Sequence, residues 1–234
     1  AEQGVTYRFL HDRVQQAALS LLDASEKQKV RLQIGHLLLT DVQDIESDER
    51  IYDIADHLNF AGDLLTDPTE KNQLANINHR ASQRAKNATA YEPALSYIKH
   101  AMALVPSESW ENPSVFTRTV LTQRAECEHL CGNDTAAETF FNQAIDHANT
   151  VLDKAAVYQR KLHFYTNLRQ FAKAYQTGRE AVGLLGVKLP ATFVPPLLIK
   201  EIILFRALLG RKKASDITKL SEMSDPERQM AILL

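Results

Sequence analysis

Three stretches of the chain share one small-residue pattern: Ala94-x3-Ile98-x2-Ala101, Ala137-x3-Phe141-x2-Ala144 and Ala174-x3-Gly178-x2-Ala181. Residues at i, i+4 and i+7 fall on one face of an α-helix. Small residues at the ends of that face let a second helix come close, and a bulkier side chain between them fills the gap. A hairpin built this way cannot bury its apolar face alone and stacks on neighbours, the sequence mark of tetratricopeptide-like arrays. No other feature of the chain restricts the fold as much.

The punctuation points the same way. Pro106 lies 12 residues beyond Ala94, where such repeats end, and Gly132 lies five residues before Ala137. Tyr158 and Tyr165 occupy first-helix positions that these repeats fill with aromatics. Ala94 to Ala137 is 43 residues and Ala137 to Ala174 is 37, against about 34 in the standard repeat. Irregular repeats with lengthened helices are therefore expected. With 8 Gly and 8 Pro the chain suits long helices and has few tight turns for a sheet.

Thr6 to Leu10 alternates bulky and polar residues, as a short strand would, and Asp12 then caps a helix through Leu22. Ser25 is placed to cap the next helix, which buries Val30, Ile34, Leu37 and Leu38. A polar, acidic stretch from Asp44 to Arg50 precedes a helix with Ile51, Ile54, Ala55, Leu58 and Ala61 inward. Asp67-Pro68 starts a helix to about Asn87, with Leu74, Ile77, Ala81 and Ala85 inward. Further helices are expected at about Asn112–Cys131, Leu152–Leu168 and Phe171–Leu185. Pro190, Pro195 and Pro196 mark the main break, and Ser224-Asp225-Pro226 starts a last helix. The expected organisation is 1–45, the end of a winged-helix-like segment with the first helices; 46–187, irregular repeats; and 188–234, a Pro-rich break, an apolar helix and further repeats. The fold class is all-α, a right-handed tetratricopeptide-like α-α superhelix of eleven to thirteen helices with a remnant strand at the start.

The apolar helix Leu197–Leu209 has 13 residues, too few for a bilayer, which needs about 20. Its charges, Lys200, Glu201 and Arg206, are spread around the helix, which does not suit a surface-lying membrane helix. Packing onto the last repeat is the first reading. A protein or dimer interface through Ile199, Ile202, Ile203 and Phe205 is the second, and membrane contact the third. The basic Arg211-Lys212-Lys213 beyond it suits the helix C-terminus.

Chemistry is sparse. Neither G-x4-G-K-[ST] nor G-x-G-x2-G occurs, so no Gly-rich phosphate cradle is present. Cys127 and Cys131 share a helix face, but His129 points about 200° away from Cys127 and no second Cys pair exists. Two small buried thiols are the better reading. His11, beside Asp12, is read as a capping residue rather than a catalyst, and no serine or cysteine nucleophile has a base placed by sequence. No catalytic residue, cofactor or metal is expected. Asn78, Arg124 and Lys161 could line a concave groove, with ordinary solvated side chains as the plainer alternative. The net charge of −2 gives no reason to expect nucleic acid or an anionic membrane as partner. Two cysteines and no basic-then-apolar leader suggest a reducing, cytoplasmic setting. The absent initiator Met and the finish in mid-helical pattern suggest a piece of a longer protein.

Tyr7 to Ala18, reading YRFLHDRVQQAA, resembles the end of the winged-helix part in one bacterial family of very large signalling proteins. Those proteins join a serine/threonine-kinase-like domain, an AAA-type predicted ATPase, a helical-repeat region, a GAF domain and often a sensor histidine kinase. Ile54–Asn59 (IADHLN), Ala81–Tyr91 (ASQRAKNATAY) and Gly183–Pro190 (GLLGVKLP) follow in the family's order. The resemblance implies that kinase and ATPase motifs lie outside this segment, so no catalytic residue carries over. It implies a non-catalytic interaction and regulatory module, with neighbouring domains or a signalling protein as partner. The alternative is a sensor holding a small molecule in the superhelix groove.

Overall fold

The fold is a computed structural model that describes residues 21–40, 49–106, 109, 114–191, 195–209 and 223–234. The expected strand at Thr6–Leu10, the His11 cap and the basic 211–213 turn lie outside these residues, as does most of the 44–50 stretch. Every regular element among the described residues is helical. The chain forms two compact units, Ala1–Ser107 and Glu108–Leu234, so the boundary falls inside the stretch 46–187.

In the first unit α1 is Ala24–Thr40 and α2 is Ile51–Ala61, followed by a 3-10 turn at Gly62–Leu64. α3 is Pro68–Asn87 and α4 is Tyr91–Ala103. The cap of α1 is Asp23 rather than Ser25. Asp23 Oδ1 accepts from the Glu26 amide at 2.8 Å and Glu26 Oε2 accepts from the Asp23 amide at 3.0 Å, a reciprocal capping box. Leu37 is 71% exposed, not inward, because Gly35 faces α2 in its place. A Cβ on Gly35 would lie 2.5 Å from Leu58 Cδ2, so the two helices meet backbone against side chain. Ile51, Ile54, Ala55, Leu58 and Ala61 of α2 are buried as their spacing predicts. The first four, with Leu65, Leu74, Ile77 and Ala81, form the core, and Leu32, Leu38, Leu39, Tyr52, Tyr97 and Leu104 pack against it. Each fully buried Ile or Leu side chain here contributes roughly 1.5–3 kcal/mol. Asp67 accepts from the Thr69 amide at 3.2 Å, and Pro68 takes the first helical position.

In the second unit α5 is Val115–Leu130, α6 Asp134–Asp146, α7 Val151–Asn167 and α8 Phe171–Leu184. α9 is Pro195–Leu209 and α10 is Pro226–Leu233. α5 begins at Val115, three residues later than expected, because Ser114 Oγ caps the Thr117 amide at 3.1 Å. Thr150 and Asp225 cap α7 and α10 in the same way.

Three hairpins, α3/α4, α5/α6 and α7/α8, share one turn. Thr89, Gly132 and Arg169 sit in the left-handed region at φ 60°, 82° and 56°. The next residues, Ala90, Asn133 and Gln170, donate back to the carbonyls of Ala85, Glu128 and Tyr165 at 2.8–2.9 Å. This is the Schellman closure. The same three residues then accept from the amides of Ala94, Ala137 and Ala174 at 3.0 Å, opening the second helix. Each signature alanine thus stands four residues past the turn in all three hairpins.

The two repeat intervals differ mainly through the stretches between hairpins. α4 and α6 each have 13 residues, and α5 and α7 have 16 and 17. Eleven residues, 104–114, separate α4 from α5, whereas only four, 147–150, separate α6 from α7.

Candidate interaction site

The signature residues are spent on packing. Ala94, Ile98 and Ala101 are fully buried on α4, as are Ala137 and Ala144 on α6, where Phe141 is 1% exposed. Ala174, Gly178 and Ala181 are buried on α8. The residue between the small ones differs each time. Ile98 fills its own gap. Phe141 meets Phe164 of α7 at 5.5 Å between ring centroids, and Phe164 stacks in turn with Tyr165 at 5.0 Å and edge-on with His129 at 5.0 Å. At Gly178 the partner helix supplies the filler, since a Cβ there would lie 2.9 Å from Leu162 Cδ1. These faces are closed to a partner.

Of the three groove candidates, Asn78 is buried, while Arg124 and Lys161 are half-buried, and each has a polar partner. Asn78 is fully buried and exchanges two 2.8 Å amide hydrogen bonds with Asn59 of α2, while its Nδ2 also donates to the Leu74 carbonyl at 3.0 Å. Arg124 pairs with Glu128 at 2.5 Å and lies over the Phe140 ring at 4.8 Å. Glu128, only 4% exposed, also accepts from Asn133 Nδ2 at 2.8 Å, which ties the buried carboxylate to the α5/α6 turn. Lys161 Nζ donates to Asn142 Oδ1 at 2.6 Å, beside the Tyr165 ring. Helical period placed these residues on first helices but could not show which polar partner each would find.

Glu138, Lys161 and Tyr165 form one cluster of shifted groups in the second unit. Tyr165 OH donates to Glu138 Oε1 at 2.6 Å, and Lys173 Nζ lies 3.5 Å from Glu138 Oε2 and 5.2 Å from the Tyr165 ring centroid. That hydroxyl, with Lys173, holds the Glu138 carboxyl below its usual range, while burial and Glu138 push the Tyr165 phenol up. Burial lowers the Lys161 ammonium despite the carboxylates near it. The arrangement fastens α6, α7 and α8 together, each donor satisfied by an acceptor.

The first unit holds an open cleft of about 560 Å³ between α1, α2 and α4. Arg31 comes from α1, Asp56, Asn59 and Phe60 from α2, and Tyr97 and His100 from α4. The Arg31 guanidinium stacks over the Phe60 ring at 4.7 Å from the centroid, and Phe60 is 47% exposed. Tyr97 OH donates to Asp56 Oδ1 at 2.9 Å, and burial together with that bond raises the phenol. Tyr52 packs against Tyr97 at 5.7 Å. No motif in the sequence joins these six residues; only the hairpin geometry does. The cleft belongs to the first unit and the Tyr165 cluster to the second.

Cys127 is fully buried and Cys131 half-buried at the end of α5, while His129 Nδ1 is 2.7 Å from Asp134 Oδ1. Among the described residues no three His, Cys, Asp or Glu side chains converge as metal ligands. On α9, Ile199, Ile202, Ile203 and Phe205 are 50–63% exposed, and every described side chain from 199 to 207 is exposed. The first reading, packing onto the last repeat, therefore does not hold for these side chains. Among the described residues no helix is long and apolar enough to cross a membrane.

The class these elements define is an all-α protein, among the described residues, of helical hairpins closed by a common turn. By sequence the chain is similar to hybrid signal transduction histidine kinase G of Dictyostelium discoideum, with 24% identity over 237 residues. The match takes in 91% of this chain and 7% of the kinase, so the chain spans a small fraction of that relative's length. No family model matches the chain, and no solved structure matches it.

Proposed function

We propose that the chain is a non-catalytic interaction and regulatory module of a multidomain signalling protein, its hairpins stacked as a tetratricopeptide-like superhelix. The observation that carries this is the comparison: nearly the whole chain aligns within a stretch that is 7% of a signal transduction histidine kinase. The common hairpin turn supports a repeat architecture, which presents side chains from successive helices along one surface. ATP-dependent chemistry then belongs to kinase- and ATPase-type neighbours, which act as partners within the same cytoplasmic polypeptide. The test is retention of those neighbouring domains by the purified 234-residue chain, with and without ATP. Retention that changes with ATP is expected. No retention, together with unchanged signalling by a parent lacking residues 46–187, would refute the reading.

A second reading, a small-molecule sensor, is favoured by the cleft, whose 560 Å³ falls within the range of ligand sites. A ligand that binds only the folded chain raises its melting temperature, and a metabolite screen by thermal shift tests for it. The openness of the cleft weighs against this reading, since such sites bury most of a small ligand's surface.

A further inference from the structure

The cleft of the first unit contains an arginine with work left to do. The Arg31 guanidinium carbon lies over the Phe60 ring, 4.7 Å from its centroid, and contact with a ring uses none of the five N–H donors of an arginine. Among the described residues no carboxylate pairs with it. Asp56, in the same cleft, already receives the Tyr97 hydroxyl on Oδ1. Asn59 spends one N–H and one lone pair on Asn78, which keeps its amide fixed in orientation. It retains one further N–H and one lone pair, the complement of a peptide group's C=O and N–H. A guanidinium fork fits a carboxylate in bidentate fashion, and Phe60 offers apolar surface beside it.

We propose that this cleft takes an acidic peptide segment, its carboxylate on Arg31 and its main chain on Asn59. The open shape favours a segment over a small ligand, because a chain laid across the cleft reaches both rims while a small molecule would stay half in water. The proposal rests on the interaction-module reading and names the chemistry of the partner.

A display library of random dodecapeptides, panned on the whole chain, tests it. Selected sequences are expected to be enriched in Asp and Glu next to an apolar residue. Arg31→Glu should turn the enrichment toward Lys and Arg. Arg31→Ala, which serves if the charge reversal unfolds the chain, should weaken a selected peptide by about tenfold or more in fluorescence anisotropy. Asn59→Ala should weaken it without changing the charge preference. Selection without acidic enrichment would overturn the proposal, as would the same peptides on Arg31→Glu. Displacement by free glutarate at concentrations comparable to the peptide would also overturn it, in favour of a small-carboxylate site. Retention of neighbouring domains that survives Arg31→Glu would sink this proposal and leave the interaction module standing.

Discussion

Gly35 and Gly178 are both buried helical glycines, yet Gly→Ala should act oppositely at the two. In a helix interior alanine is favoured over glycine by about 1 kcal/mol, so each substitution starts with the same gain. At Gly35 the added methyl meets Leu58 Cδ2 at 2.5 Å and Cγ at 2.8 Å, with His57 Cβ at 3.5 Å. Leu58 is 2% exposed and held in the core, so its branch point cannot move aside and α1 must lift from α2. Overpacking of that kind costs about 1–3 kcal/mol, which exceeds the propensity gain. Gly35→Ala should therefore destabilise by about 1–2 kcal/mol. At Gly178 the only close atom is Leu162 Cδ1 at 2.9 Å, the tip of a half-buried side chain that can change rotamer. Gly178→Ala should be neutral or stabilising by up to about 1 kcal/mol. Urea unfolding followed by circular dichroism, with m-values compared, measures both. A Gly35→Ala chain as stable as wild type would refute the close packing of α1 on α2. Equal losses at the two positions would refute the argument from side-chain mobility.

Ala137→Leu and Ala144→Leu each add three carbons to a fully buried contact of α6 and should cost about 1–3 kcal/mol in the same assay. Neutral results would mean that α6 does not pack through its small residues. Thr89→Gly should stabilise by about 0.5–1 kcal/mol, since a β-branched residue at φ 60° is strained and glycine is not. Gly132→Ala, at φ 82°, should destabilise by a similar amount; the same sign in both would refute the shared turn. Burial, and then Arg31, lowers the His57 pKa below 6.5, and its Nδ1 is buried with no hydrogen-bond partner among the described residues. The unfolded chain then binds the proton more readily. His57 accordingly contributes stability that is present above pH 6.5 and lost as pH falls toward the folded value. Stability measured from pH 7.5 to 5.5 should fall, and His57→Leu should flatten that slope.

The helices were largely legible because their apolar period and caps are local. Leu74, Ile77, Ala81 and Ala85 were assigned inward from spacing alone, and Asp67-Pro68 marked the start of α3. Two kinds of feature were not legible. Thr89 and Arg169 occupy left-handed positions that glycine usually fills, so the sequence marks where these two helices break but not the conformation of the break. Arg31, Phe60 and Tyr97 lie on three helices, and only tertiary packing makes them neighbours. Leu37 shows a third limit: an apolar residue in phase with the stripe is displaced when a glycine allows closer contact two positions away. The groove assignment of Asn78 failed because a buried amide needs a second amide, and Asn59 supplies it from 19 residues earlier.

The common turn also limits where such a chain can lengthen or shorten during its history. Ala90, Asn133 and Gln170 each end one helix's hydrogen bonding and begin the next, which leaves no slack between the two. One residue inserted there would rotate the second helix by about 100° and carry Ala94, Ala137 or Ala174 off its contact face. Insertions and deletions should therefore be purged from the turns and accumulate in the links between hairpins. The eleven-residue link and the four-residue link are what that bias would leave behind.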